Sequence, residues 1–200
     1  DAQSGTYAQH NGVWGDVPGA IETHAAKNIT ITNSELRNLG IGGIRIGNGS
    51  SDCAITNSAI HDISSSGIFI GNNTGHNHGY CDPGTDVTGV VVRNNYITRT
   101  GLDIFGSSAI CALYTSDTVI DHNEVCYTTY TGISLGWGWD WKNAPCSGNN
   151  TVSNNYIHDT GKTIHDGGSF YSLGLQEGTK VFGNYLHHHS DGPVSYTHLR

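Results

Sequence analysis

The residues with the clearest chemical promise lie in two segments, TIHDGGSFYSLG (163–174) and GWGWDWKNAPCSGNN (136–150). In the first, Asp166 stands just ahead of an expected strand. Gly167 and Gly168 follow it, and their missing side chains would let a ligand approach the carboxylate closely. Asp-Gly is also a common turn dipeptide, so a plain corner is the competing reading. Asp62 and Asp159, in two IHD phrases (60–62 and 157–159), have that corner character. In the second segment Trp137, Trp139 and Trp141 alternate with Gly138 and Asp140, so an extended backbone projects all three indoles from one face. Flat aromatic faces stack on the C–H faces of sugar rings. Sideways packing of the indoles against a protein wall is the alternative.

Cleavage of a glycosidic bond needs two carboxyl groups, one kept protonated as acid and one acting as base or nucleophile. Asp140 is the first partner for Asp166, because it interrupts the aromatic series where a substrate would lie. Glu124 and Asp121 come next and Asp103 fourth, since neighbouring repeats bring distant residues together. His165 would lie against Asp166 and tune it or bond a sugar hydroxyl, and Tyr171 follows on the same strand. His76 and His78 sit two apart in GNNTGHNHGYCDPGTD (71–86), a spacing a metal can use, but a solvated loop accounts for them. No metal site and no cofactor is assigned.

These segments hang on a repeat. ITNSEL (31–36), ITNSAI (55–60), VRNNYI (92–97), IDHNEV (120–125), VSNNYI (152–157) and VFGNYL (181–186) are one phrase with aliphatic anchors at Leu36, Ile60, Ile97, Val125, Ile157 and Leu186. The anchors are spaced by 24, 37, 28, 32 and 29 residues, so a basic unit of 24 carries insertions of variable length. Two residues before each anchor stand Ser34, Ser58, Asn95, Asn123, Asn155 and Asn184, small polar side chains that can hydrogen-bond to copies of themselves in a stacked ladder. A second phrase follows after a turn: GIRIG (43–47), GIFIG (67–71), AICAL (109–113), GISLG (132–136) and SFYSL (169–173). It alternates apolar with small residues between Gly, Asn, Ser and Thr, which marks short strands. Repeats of this period stack. The expectation is an all-β, right-handed parallel β-helix of about six rungs, spanning roughly 29 Å at about 4.8 Å per rung.

Composition fits. Twenty-eight glycines and 13% charged residues suit a chain with several corners per rung. With a net charge of −8 and nine Lys plus Arg, the chain lacks the basic surface nucleic acid demands, and polyanionic glycans are less attractive substrates. No run of 18 apolar residues spans a membrane. The chain opens on Asp and contains no Met, so we expect a fragment of a longer helix, with any signal peptide removed. Residues 1–193 read as the β-helix domain and 194–200 (VSYTHLR) as a non-native or disordered tail. Cys81 and Cys146 lie in the two longest insertions and could pair in a secreted protein, while the odd count of five leaves a free thiol.

The phrases YTGISLGWGW (130–139), NNYIHDTGKTIHDGGSFYSLGLQEGTKVFGNYLHHH (154–189) and GSSAICALYTSDTVIDHNEV (106–125) together resemble the right-handed β-helix proteins of the glycoside hydrolase type, in particular the family with α-L-fucosidase and xylanase activities. The resemblance covers most of residues 17–189 and rests on GWGW and DGG-x-x-Y-x-LG; the ladder alone is shared by pectate lyases, epimerases and phage tailspikes. It implies an acidic active site on a lateral groove, with Asp166 carried over on the DGG phrase and Asp140 left as a local inference. Ser169-Phe170 stands where that family usually has Gly and a β-branched aliphatic, and Glu177 where Pro is common. The expected function is a secreted, periplasmic or cell-surface hydrolase of a plant or host polysaccharide or oligosaccharide. A polysaccharide lyase or epimerase, and a non-catalytic glycan-binding module, are the alternatives.

Overall fold

The structure, a computed structural model, describes residues 8–10, 13–15, 17–71, 84–136 and 146–190. Strands of three to five residues stack into three parallel sheets of six. Sheet 1 comprises Thr30–Thr32, Ala54–Thr56, Val91–Arg93, Val119–Asp121, Thr151–Ser153 and Lys180–Phe182. Sheet 2 comprises Glu35–Leu39, Ala59–Ile63, Tyr96–Thr100, Glu124–Cys126, Tyr156–His158 and Tyr185–His187. Sheet 3 comprises Gly19–Thr23, Gly42–Ile46, Ile68–Gly71, Ile110–Leu113, Ile133–Leu135 and Phe170–Ser172. The chain visits the sheets in the order 3, 1, 2 and repeats, building a right-handed parallel β-helix of about six rungs. Each recurring phrase is therefore two strands with a corner between them. A narrower ladder of bridges runs along the corner before sheet 1, through Lys27, Ser51, Thr88, Ser116, Gly148 and Glu177. An antiparallel pair, Ala8–His10 with Val13–Gly15, precedes the first rung.

The anchors stack as the repeat requires: Leu36 pairs with Ile60, Ile60 with Ile97, Ile97 with Val125, Val125 with Ile157 and Ile157 with Leu186. Ile60, Ile97, Val125 and Ile157 are fully buried, each side chain contributing about 1.5–3 kcal/mol by leaving water. Leu186, on the last described rung, is 43% exposed because nothing described stacks above it.

Between sheets 1 and 2 one residue per rung turns the chain in the left-handed region: Asn33, Asn57, Asn94, His122, Asn154 and Gly183, with φ of 51°, 51°, 55°, 53°, 54° and 68°. Asparagine tolerates that conformation better than other side chains with a Cβ. The residue after each corner is the ladder. Asn95 donates through Nδ2 to Asn123 Oδ1 (3.0 Å), Asn123 to Asn155 (3.0 Å) and Asn155 to Asn184 (2.9 Å). Each amide also donates to a backbone carbonyl, so polar groups buried to 3%, 1% and 1% exposure are satisfied. Asp62 and Asp159 are corner residues as expected, with φ of 56° and 52°, and His188 holds the equivalent place at 50°.

Candidate functional site on the outer face of sheet 2

Because strand side chains alternate, the residues on either side of each buried anchor must point out of the solenoid. Before the anchors stand Tyr96, Glu124, Tyr156 and Tyr185 in register, and after them Thr98, Cys126, His158 and His187. Tyr156 stacks on Tyr185 with ring centroids 5.6 Å apart, and His158 stacks on His187 at 5.2 Å. His187 Nε2 lies 2.8 Å from the Tyr156 hydroxyl.

An open cavity of about 320 Å³ lies where this face meets the sheet 1 corner, lined by Tyr96, Glu124, Tyr156, His122, Asn123 and Asn154 among others. Glu124 stands between the two tyrosines, one rung from each. Partial desolvation pushes both phenols up; a hydrogen bond with Cys126 adds to the effect on Tyr96, and Tyr185 and Glu124 add to it on Tyr156. Both therefore stay protonated at neutral pH and can donate to a sugar hydroxyl. Desolvation, with His188 and His158 nearby, pushes His187 down, so it is a neutral imidazole there.

Below the cavity, one carboxylate, one thiol and one imidazole converge: the ligand atoms of Glu124, Cys126 and His158 all lie within 4.8 Å of one another. His158 Nε2 is 3.3 Å from Glu124 Oε1, while its Nδ1 is fixed by Asp159 Oδ2 at 2.9 Å. Asp159 also accepts from Lys162 Nζ at 2.8 Å. The hydrogen bonds from His158 and Lys162 hold its carboxyl down at about 2.

Asp166 and His165 are exposed, on the loop joining the sheet 2 strand Tyr156–His158 to the sheet 3 strand Phe170–Ser172. Asp166 makes no hydrogen bond or ion pair among the described residues. His165 Nδ1 donates to Gly161 O at 2.8 Å, which ties the loop to itself, and lies against Ser190 Oγ. Tyr171 is half-buried and outward-facing on sheet 3, in register with Ser134. Gly167 has a structural cause that the sequence did not suggest. A Cβ there would come within 2.6 Å of Thr131 Oγ1 and 2.8 Å of the Tyr130 ring, so the glycine lets the loop close over Tyr130.

Trp137, Trp139, Trp141 and Asp140 lie outside the described residues, as does Cys81, whereas Cys146 is disulfide-bonded. Their insertion leaves sheet 3 at Gly136, beyond the C-terminal end of Ile133–Leu135, while the Asp166 loop enters sheet 3 ahead of Phe170. The two segments thus attach at opposite edges of one sheet, separated by the length of a three-residue strand, roughly 10 Å.

Of the other acids, Asp121 is buried and engaged. Burial pushes its pKa up, but hydrogen bonds from Ser153, His122 and Asn154 outweigh that and hold it well below the usual carboxylate range. It is a fixed anion that also pairs with Arg93 at 2.9 Å, unsuited to give or take a proton. Asp103 is exposed and accepts from Ser64 Oγ. Among the described residues, Glu124 alone of the sequence-selected acids lines the cavity. Tyr96, Tyr156, Cys126 and His158 were missed, although the signal was present: each stands one residue before or after an anchor.

A family model described as "Right handed beta helix region" matches residues 19–199. Among solved structures, one described as "Glycoside hydrolase" is 25% identical with a TM-score of 0.73, the alignment covering 90% of this chain and 33% of that one. The chain thus spans about a third of that protein's length. An alginate lyase from Paenibacillus sp. str. FPU-7 aligns at 16% identity and a TM-score of 0.44, over 83% of this chain and 64% of that one. No curated protein matches the chain.

Proposed function

Because the chain belongs to the right-handed β-helix family, we propose that it is part of a carbohydrate-active protein that holds a glycan along the outer face of sheet 2 and hydrolyses its glycosidic bonds. The observation that carries this reading is the open cavity with Glu124 between two protonated tyrosines. Aromatic faces take the apolar face of a sugar, and the phenol, imidazole and amide groups around them take its hydroxyls. The likeness to a glycoside hydrolase supports hydrolysis as the reaction. Asp166 is our choice for one of the two carboxyl groups, since it is exposed and uncommitted and its loop borders the same sheet. Asp140, in the insertion that follows Gly136, is the proposed second acid. A polymeric substrate implies secretion or display at the cell surface, and the Cys146 disulfide supports an oxidising compartment.

Assay of the chain on xylans and fucosylated glycans, reading new reducing ends, tests the proposal. We expect Tyr156→Ala to raise KM about tenfold through lost stacking. Asp166→Asn should lower kcat by a factor on the order of 100 or more. Equal glycan binding by the parent chain and Tyr156→Ala overturns the groove. Products with unsaturated ends replace hydrolysis by elimination.

A further inference from the structure

The Ile-His-Asp phrase occurs twice on sheet 2, and on the rung before it the two settings differ in one residue that changes the chemistry. At the first, Glu35-Leu36-Arg37 lies one rung before His61-Asp62; at the second, Glu124-Val125-Cys126 lies one rung before His158-Asp159. In both, the corner aspartate fixes Nδ1 of the histidine (2.7 and 2.9 Å) and the glutamate meets Nε2 (3.0 and 3.3 Å). In both, a basic side chain holds the aspartate from outside, Arg99 at 2.6 Å and Lys162 at 2.8 Å. The register partner of His61 is Arg37, whose Nε lies 3.7 Å from Glu35. The register partner of His158 is Cys126. A permanent cation beside the glutamate has been exchanged for a thiol.

We propose that Glu124, Cys126 and His158 bind a divalent cation of the zinc class, which supplies the charge that Arg37 supplies at the first setting. Thiolate, imidazole and carboxylate together are a borderline-soft donor set, suited to zinc or cobalt and not to calcium or magnesium. Ligand atoms about 2.0–2.3 Å from a tetrahedral metal stand about 3.3–3.8 Å apart. The Nε2 to Oε1 separation of 3.3 Å already has that length, and the thiol sulfur lies within 4.8 Å of a ring nitrogen of His158 and a carboxylate oxygen of Glu124. The Asp159 carboxylate on Nδ1 is the outer partner that metal-bound histidines use; it fixes the tautomer so that Nε2 presents its lone pair to the site. The sulfur now rests 3.4 Å from Thr98 Oγ1 and 3.8 Å from the Tyr96 hydroxyl, two weak contacts that metal ligation replaces. Three protein ligands leave a fourth position, which a water molecule can take.

The inference stands without the glycan reading, because metal uptake is measured with no sugar present. The metal-free chain is titrated with cobalt(II) and its absorption followed, and with zinc(II) for stoichiometry. One equivalent per chain and a thiolate-to-cobalt charge-transfer band are expected. Cys126→Ser should abolish the band, and Asp159→Asn should weaken binding about 10- to 100-fold. His61→Ala should change nothing. Uptake without the charge-transfer band, or undiminished binding by Cys126→Ser, overturns the proposal. So does no uptake by the parent chain, a readout that requires no variant to fold.

Discussion

The outer faces of sheets 2 and 3 are built from the same short strands, yet sheet 2 keeps an exposed aromatic column while the middle of sheet 3 is withdrawn from solvent. On sheet 3 the outward column runs through Arg45, Phe69, Cys111 and Ser134, which are 6%, 7%, 0% and 2% exposed. Arg45 lies over the Phe69 ring at 5.0 Å, and Leu113, Tyr114, Cys146 and Leu173 gather with Phe69 and Cys111 into a second apolar cluster. On sheet 2 the column before the anchors keeps Tyr96, Tyr156 and Tyr185 at 40%, 38% and 65% exposure, beside a buried column of Thr98, Cys126 and His158. Both long insertions leave from the C-terminal edge of sheet 3, after Gly71 and after Leu135, with one strand between their exits. In this solenoid the long insertions leave from the sheet whose middle is withdrawn from solvent, and the proposed glycan groove lies on the other.

The largest test of that contrast is Phe69→Ala. It removes a buried aromatic from the covered face and should cost about 3–5 kcal/mol, read from the denaturant midpoint at unchanged slope. A cost under about 1 kcal/mol would mean that this face is loosely packed. Tyr185→Ala, also outward and aromatic but on the open face, should stay within about 0.5 kcal/mol of the parent in the same measurement. A larger loss there would make the tyrosine column structural.

An effect well below that of Phe69→Ala concerns the corner charges beside sheet 2. The Arg99 guanidinium and then His61 hold the Asp62 carboxyl well below its usual 3.8. Since the folded-state pKa is depressed, the ion pair contributes its stability above about pH 4 and loses it as the carboxylate protonates at lower pH. The pair is partly exposed, so its worth is at most about 1 kcal/mol. Thermal midpoints of the parent and Asp62→Asn should therefore differ slightly near neutrality and converge in strong acid. A gap that widens as pH falls would contradict the assignment.

Much of the wall was legible because stacking imposes a period that the chain repeats. Leu36 to Leu186 read as one column and form one, and Ser34 to Asn184 read as a ladder and hydrogen-bond as one. The site was less legible. Asp166 stood out by the DGG phrase, yet Gly167 answers to Tyr130 packing. Glu124 reads in the sequence as one of several candidate partner acids, and only its neighbours across the rungs set it in the cavity.

What the sequence determined by itself is the rung: which residues face in, where the corners fall, and that copies stack. These are local alternation and repetition, and each copy carries the whole signal. Only the tertiary structure decided which outward columns stay in solvent and which distant side chains meet. Glu124, Cys126 and His158 are joined by the register between two strands, and the length of the insertion between those strands fixes their separation in sequence without revealing their contact in space.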